Sequence, residues 1–137
     1  MFLLDTNVLS AMMSATPAPK LAAFVGGQRG ELLFTAAVCQ AEILAGLAVM
    51  PHGRRLALEA ASHAMFLEDF DGRVLPFDSA AAVAYADIFA ARKHAGRPVA
   101  TADLMIAAIA RSQGATVVTR NVADFDASGV AVVNPWD

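Results

Sequence analysis

Cysteine is almost absent from this 137-residue chain: Cys39 is the only one, which excludes an internal disulfide framework and fits a reducing compartment. Charge is scarce as well. Only 17% of residues are charged against 57% hydrophobic, a balance that excludes disorder and low-complexity or collagen-like repeats. Excess positive charge is missing. Ten basic against thirteen acidic residues leave a formal charge of −3, which argues against gripping nucleic acid by bulk potential and leaves room only for a local patch. No GxGxxG or GxxxxGK[ST] run occurs, so dinucleotide and P-loop sites lack support. His52, His63 and His94 stand 11 and 31 residues apart, which is not zinc-site spacing. The length suits one domain over 1–137, able to bury roughly two thirds of its unfolded surface.

A mean hydropathy of +0.51 raises the question of a membrane. Met1-Phe2-Leu3-Leu4 is cut off by Asp5, well short of the roughly 7–15 apolar residues of a secretory h-region. Leu32 to Pro51 is twenty residues with Glu42 as the only ionisable side chain besides Cys39. A carboxylate near the middle of a span costs about 2.5–3.5 kcal/mol, and Thr35, Gln40 and Gly46 dilute the stretch further. The expectation is no membrane association and a cytoplasmic protein.

Short apolar runs alternate with longer helical patterns. Strands are expected at Met1–Leu4, Glu31–Phe34, Arg73–Leu75, Ala115–Thr119 and Val130–Val133. Helices are expected from Asp5 or Thr6 to Met13, over Lys20–Val25, Val38–Met50 (opened by Thr35 as N-cap) and Arg54–Leu67. Two more run from an Asp78 cap to His94 and from a Thr101 cap to Gln113, closed by Gly114. Tyr85, Ile88 and Phe89 have the spacing of a core face. This order predicts an α/β fold, a three-layer α/β/α sandwich around a mainly parallel sheet.

Three carboxylates are conspicuously alone. Asp5 is the only charge before Lys20, Glu42 the only one between Glu31 and Arg54, and Asp103 the only one between Arg97 and Arg111. Segments this apolar are expected to be buried, and a lone buried carboxylate costs several kcal/mol unless something pairs with it. Basic partners are few and lie mostly elsewhere, so a divalent cation would resolve the conflict. Asp5 follows a strand and Asp103 opens a helix, and open parallel sheets place their ligands outside the carboxyl ends of the strands. Glu42, about two turns into its helix, can reach the same crevice. Carboxylates about 5 Å apart repel by roughly 3 kcal/mol at an effective dielectric of 20, so such a cluster implies a cation or raised pKa values. Asp124, in the polar loop after the strand ending at Thr119, is the fourth candidate. All-oxygen ligation selects Mg²⁺, with Mn²⁺ as a substitute, over zinc.

Each acid also has a purely structural reading. Asp5 caps a helix, Asp103 complements a helix dipole, Glu42 solubilises an apolar helix, and Asp124 is a turn residue. Asp87 warns against reading isolation alone: it is equally solitary, yet it lines up with Ala80, Ala84, Ala91 and His94 on a bland face expected to be exposed. Cys39 reads as core. Arg54-Arg55 and Arg92-Lys93 with Arg97 read as solvated basic faces, with phosphate binding as the alternative.

Leu3-Leu4-Asp5-Thr6-Asn7-Val8-Leu9 resembles the opening of PIN-domain ribonucleases, particularly the VapC-type toxins of toxin–antitoxin pairs. Thr35-Ala36-Ala37-Val38 with Ala41-Glu42-Ile43-Leu44-Ala45-Gly46 is similar to the second motif of that family, and Thr101-Ala102-Asp103-Leu104 to the third. Thr119-Arg120-Asn121 with Asp124-Phe125, then Asn134-Pro135-Trp136, is similar to its end, with a FitB-like branch as the nearest match. The resemblance implies Asp5, Glu42 and Asp103 as catalytic, metal-holding acids. Asp124 is taken as the fourth, because Asn121 stands in the alternative slot. It implies support from Thr6, Asn7, Thr119 and Asn121, and hydrolysis of an RNA substrate by a metal-activated water, leaving 5′-phosphate and 3′-hydroxyl ends. Its partners would be a small cognate antitoxin and a second copy in a homodimer. Competing readings are a catalytically silent PIN-fold scaffold and a receiver-like phosphoacceptor. Lys20 and Lys93 are the only lysines and are badly placed for the latter.

Overall fold

Strands buried on both faces need no polar alternation, and the first one has none. The computed structural model describes residues 1–137, beginning with β1 (Phe2–Leu4) and α1 (Thr6–Met12). Next come α2 (Pro19–Gly26), β2 (Leu33–Ala36), α3 (Ala37–Ala48), α4 (His52–Ala64) and β3 (Val74–Leu75). The chain finishes with α5 (Ser79–His94), α6 (Thr101–Gln113), β4 (Thr116–Val118) and β5 (Val132–Val133). Five strands pair in the order β3-β2-β1-β4-β5, all parallel, in a three-layer α/β/α arrangement with six helices. Leu3 and Leu4 of β1 and Val117 and Val118 of β4 are fully buried, as expected for central strands covered on both sides.

The order of the strands places the crevice. From β1 the chain steps through β2 to β3 on one side, then crosses by α5 and α6 to β4 on the other side of β1. The switch in direction therefore falls between β1 and β4, and the ends of these two strands flank the position where open α/β sheets bind ligands.

The twenty-residue apolar stretch resolves into the end of a short turn, β2 and a twelve-residue α3, and no helix is long and apolar enough to cross a membrane. Only Cys39, Ile43 and Leu47 of α3 are buried, one stripe at i, i+4, i+8, so Glu42 is exposed where burial was expected. Thr35 does not cap α3. It lies inside β2, fully buried, and its hydroxyl donates to the Leu4 carbonyl at 2.9 Å, while Ala36 occupies the cap without a side-chain bond. Thr101 is likewise the first residue of α6, after an Ala100 cap. α4 begins at His52 and gives way after Ala64 to a wider π-type turn over Met65–Asp69 that buries Met65 and Phe66.

α5 differs most from expectation. Its buried stripe is Ala81, Ala84, Ile88 and Arg92, so Ala84 leaves the exposed face assigned to it, while Asp87 is exposed. Phe89 is 48% exposed, stacked on Tyr85 with ring centroids 6.2 Å apart. Arg92 is no solvated cation. It is 5% exposed and donates to the carbonyls of Arg97 (2.8 Å), Ala123 (3.3 Å) and Asp126. The guanidinium replaces water for three loop carbonyls and ties α5 to the segment that carries Asp124.

Arg92→Met keeps the apolar stem and takes the side-chain donor from the Arg97 and Asp126 carbonyls, while the Ala123 carbonyl keeps the Asp126 N–H. Hydrogen bonds to a charged group contribute about 1.5–3 kcal/mol each, so a loss of about 2–4 kcal/mol in unfolding free energy is expected. The urea midpoint checks it: a change below about 0.5 kcal/mol contradicts the strut.

Candidate active site

Asp5 leaves the end of β1 in extended conformation, and its backbone N–H donates to the Val118 carbonyl at 3.0 Å, extending the β1–β4 ladder by one bond. That bond sets Asp5 beside Thr119 at the carboxyl ends of the two strands that flank the switch. Asp5 as a whole is 4% exposed. Its Oδ1 accepts from the Thr6 N–H at 2.8 Å, which makes it the cap of α1. Its Oδ2 accepts from the Thr119 hydroxyl at 2.8 Å and from the Asn7 amide at 3.4 Å. Capping and clustering thus coexist in one side chain.

The polar residues around it form a closed relay. The Thr119 hydroxyl accepts from Asn7 Nδ2 and from the Asn121 N–H, both at 3.1 Å, while donating to Asp5. Asn7 Oδ1 in turn accepts from the Arg120 N–H at 3.1 Å. Thr6 faces the other way, and its hydroxyl donates to Glu42 Oε1 at 2.7 Å. The first two residues of α1, Thr6 and Asn7, thereby link the exposed acid of α3 to the buried acid that follows β1. The Asn121 side chain is exposed and makes no hydrogen bond within the chain; its backbone alone joins the relay.

Electrostatics ties four acids together. Burial pushes the Asp5 carboxyl above its ordinary range against the pull of the Thr119 and Thr6 hydrogen bonds, and the charges of Glu42 and Asp124 push it the same way. Asp103, half-buried in the first turn of α6, is pushed up to about 6, first by burial and then by the charges of Asp5, Asp124 and Glu42. Burial, with the charge of Asp5, also raises the Cys39 thiol to about 12, so Cys39 stays a neutral core residue. The chain's three ion pairs are Arg29–Glu31, Arg55–Glu59 and Arg97–Asp126, and they include none of the four acids.

This donor set, hard and anionic, is the chemistry that Mg²⁺ and Mn²⁺ take. No three of the carboxylates converge tightly enough to share one ion as they stand, and Glu42 is turned onto Thr6. Mg²⁺ needs less than that, because it keeps several waters and is held through one or two carboxylates. Beside Thr6 and Glu42 a groove of about 250 Å³ opens between α1, α3 and α4, with Met13, Leu47, Met50 and Leu58 on its walls. The Arg120–Trp136 contact at the rim is a feature whose part the one-dimensional pattern did not reveal, because its two residues are separated by a strand and two turns.

A carboxyl whose folded pKa lies above its unfolded 3.8 contributes stability that is complete below about pH 4 and lost as pH rises through about 6. In metal-free buffer the thermal midpoint is therefore expected to fall between pH 4 and 6, and Asp103→Asn to flatten that fall. Circular-dichroism melts with EDTA check it, and an unchanged profile in Asp103→Asn contradicts the electrostatic stress.

Comparison with known proteins agrees with this geometry. The PIN domain family model matches residues 2–128. The chain is 40% identical to the VapC ribonuclease Y4jK of Sinorhizobium fredii, covering 100% of this chain and 99% of that protein. It is 37% identical to the toxin FitB of Neisseria gonorrhoeae, with 99% of both chains covered. In three dimensions it is similar to the crystal structure of FitAcB from the same bacterium, with a TM-score of 0.88 and 36% identity over 99% of each chain. With a parallel sheet whose switch point gathers its acids, and relatives matched end to end, the chain belongs to the PIN-domain family.

Proposed function

We propose that this protein is a divalent-metal-dependent endoribonuclease and the toxin of a toxin–antitoxin pair. The observation that carries the reading is the set of four carboxylates at the switch crevice, mutually repelling and paired with no cation of the chain. Relatives named as a VapC ribonuclease and a tRNA(fMet)-specific endonuclease VapC support the RNA substrate. Similar structures of FitAB and VapBC complexes support the antitoxin.

Asp5, Glu42, Asp103 and Asp124 are the residues that would hold Mg²⁺ or Mn²⁺. A bound ion supplies charge neutralisation at the scissile phosphate and activation of water for hydrolysis to 5′-phosphate and 3′-hydroxyl ends. Asp5 is the fixed member, because three hydrogen bonds hold its two oxygens while burial keeps water away. Thr119 and Asn7 orient Asp5, and Thr6 holds Glu42 in reserve at the groove. Asp103 binds a proton as pH falls toward about 6, so acid competes with the ion and activity declines on that side. The groove beside Glu42 offers an antitoxin segment an apolar path to the acids. Exposed Leu44 on α3, Val49 just past its end, Leu56 on α4 and Leu67 on the π-type turn support burial against protein partners, a second copy in a homodimer among them.

The purified, antitoxin-free protein is expected to cut total cellular RNA into discrete fragments with Mg²⁺ or Mn²⁺, and EDTA to abolish cutting. Loss of several kcal/mol of charge stabilisation converts to about 10²–10³-fold lower rates for Asp5→Asn, Glu42→Gln and Asp103→Asn. Removing an orienting partner, Thr119→Val, should cost about 10–100-fold. Asp124→Asn is expected to impair cleavage far more than Asn121→Ala. Equal cleavage by Asp5→Asn contradicts the acid site. Metal-dependent stabilisation without cleavage of any RNA turns the reading to a silent scaffold.

A further inference from the structure

The acids at the crevice create a problem for their own substrate, since RNA is polyanionic and must come to rest against four carboxylates. A cation has to stand on the path of the chain, and most arginines are otherwise engaged. Arg29, Arg55 and Arg97 pair with acids, while Arg73 and Arg92 donate to backbone carbonyls. Arg54 and Arg111, like Arg120, are exposed and free of ion pairs, but of these three only Arg120 adjoins the acid relay. It directly follows Thr119, its N–H is held by Asn7, and its side chain is exposed, with no ion pair or hydrogen bond from the guanidinium. The guanidinium lies 5.0 Å from the centre of the Trp136 ring.

Trp136 is a firm platform. Its ring packs against the edge of the core, and its backbone N–H donates to Asn134 Oδ1 at 2.9 Å. Stacking on an indole face restricts a long side chain that otherwise samples many rotamers, and it leaves the guanidinium edge and its N–H donors free. A fork of donors without a carboxylate, held at the rim of an anionic crevice, matches the geometry of a phosphate.

We propose that Arg120, positioned by Trp136, contacts a backbone phosphate of RNA next to the scissile one and sets how the strand enters the acid cluster. This inference rests on the ribonuclease reading for its substrate and assigns a positioning role, not a chemical one. The contact is sequence-independent: it orders the strand and leaves base selection to other surfaces.

Binding is read by anisotropy of a fluorescein-labelled, mixed-sequence single-stranded RNA with Asp5→Asn protein in Mg²⁺, across a series of salt concentrations. In that background Arg120→Ala is expected to weaken binding about tenfold and to reduce the salt slope by about 0.7, the value for one phosphate contact on a single strand. Arg120→Lys should keep the slope, and Trp136→Leu should keep it while losing part of the affinity. Arg29→Ala removes an equal charge at the opposite end of the sheet and should change neither. Trp136 is the sole tryptophan, so its emission should respond to RNA in the parent and not in Arg120→Ala. With Asp5 restored, Arg120→Ala should raise KM and leave kcat within about twofold.

Thermal midpoints equal to the parent's confirm that the exposed variants fold. If the intact protein cleaves RNA and Arg120→Ala leaves affinity, slope and KM unchanged, the Arg120 assignment is overturned and the ribonuclease reading stands. If the intact protein cleaves nothing while the slope change at Arg120 is found, the phosphate contact stands and the ribonuclease reading falls. Absence of RNA binding by the parent overturns the assignment.

Discussion

A carboxylate buried at the end of the first strand is the constraint from which the rest of the site follows. Asp5 is held almost out of water between β1 and β4, and the groups that satisfy its oxygens come from its own helix turn and from the far end of the chain. Thr119 is 114 residues away in sequence, yet one hydroxyl–carboxylate bond and one backbone bond to Val118 join the two strand ends. Because a buried carboxylate without partners costs several kcal/mol, the fold is stable only in a register that delivers those donors. The parallel β1–β4 pairing is that register.

The same crevice stores electrostatic stress. Hydrogen bonds from Thr119 and Thr6 favour the charged form of Asp5, but burial and the other acids outweigh them. Asp103 has fewer compensations and shows it most plainly, pushed up to about 6 by burial and by the charges around it. Proteins commonly give up stability at functional sites in this way. The compensation lies in the layers around the site: the fully apolar strands, the packed α5–α6 pair, and Arg92 threaded among loop carbonyls. A ligand of opposite charge reverses the sign of the stress, which is why the metal reading and the stability of the site are one question.

The arginines divide along the same line. Arg73 and Arg92 act as struts, each donating to backbone carbonyls of segments distant in sequence. Those in ion pairs lie on the surface, where such pairs contribute little. Arg120 alone combines exposure, a fixed aromatic support and a backbone bond into the acid relay.

Much of this was legible from one dimension. The alternation of short apolar runs with longer helices announces the parallel α/β sandwich, because parallel strands need crossovers and both faces of the sheet need cover. The solitude of Asp5, Glu42 and Asp103 is a property of the sequence itself, and the fold brings their charges within reach of one another. Local rules misread residues whose surroundings come from distant segments. Thr35 looks like a cap until β1 supplies the Leu4 carbonyl, and Arg92 looks solvated until α6 and the Asp124 loop close over it. Phe89 has core spacing yet lies beyond the width of the face that α6 covers. Periodicity and scarcity of charge are written along the chain. Which face is covered, which oxygen finds which donor, and how strongly one carboxylate feels another depend on distances between elements far apart in sequence, and only packing determines those.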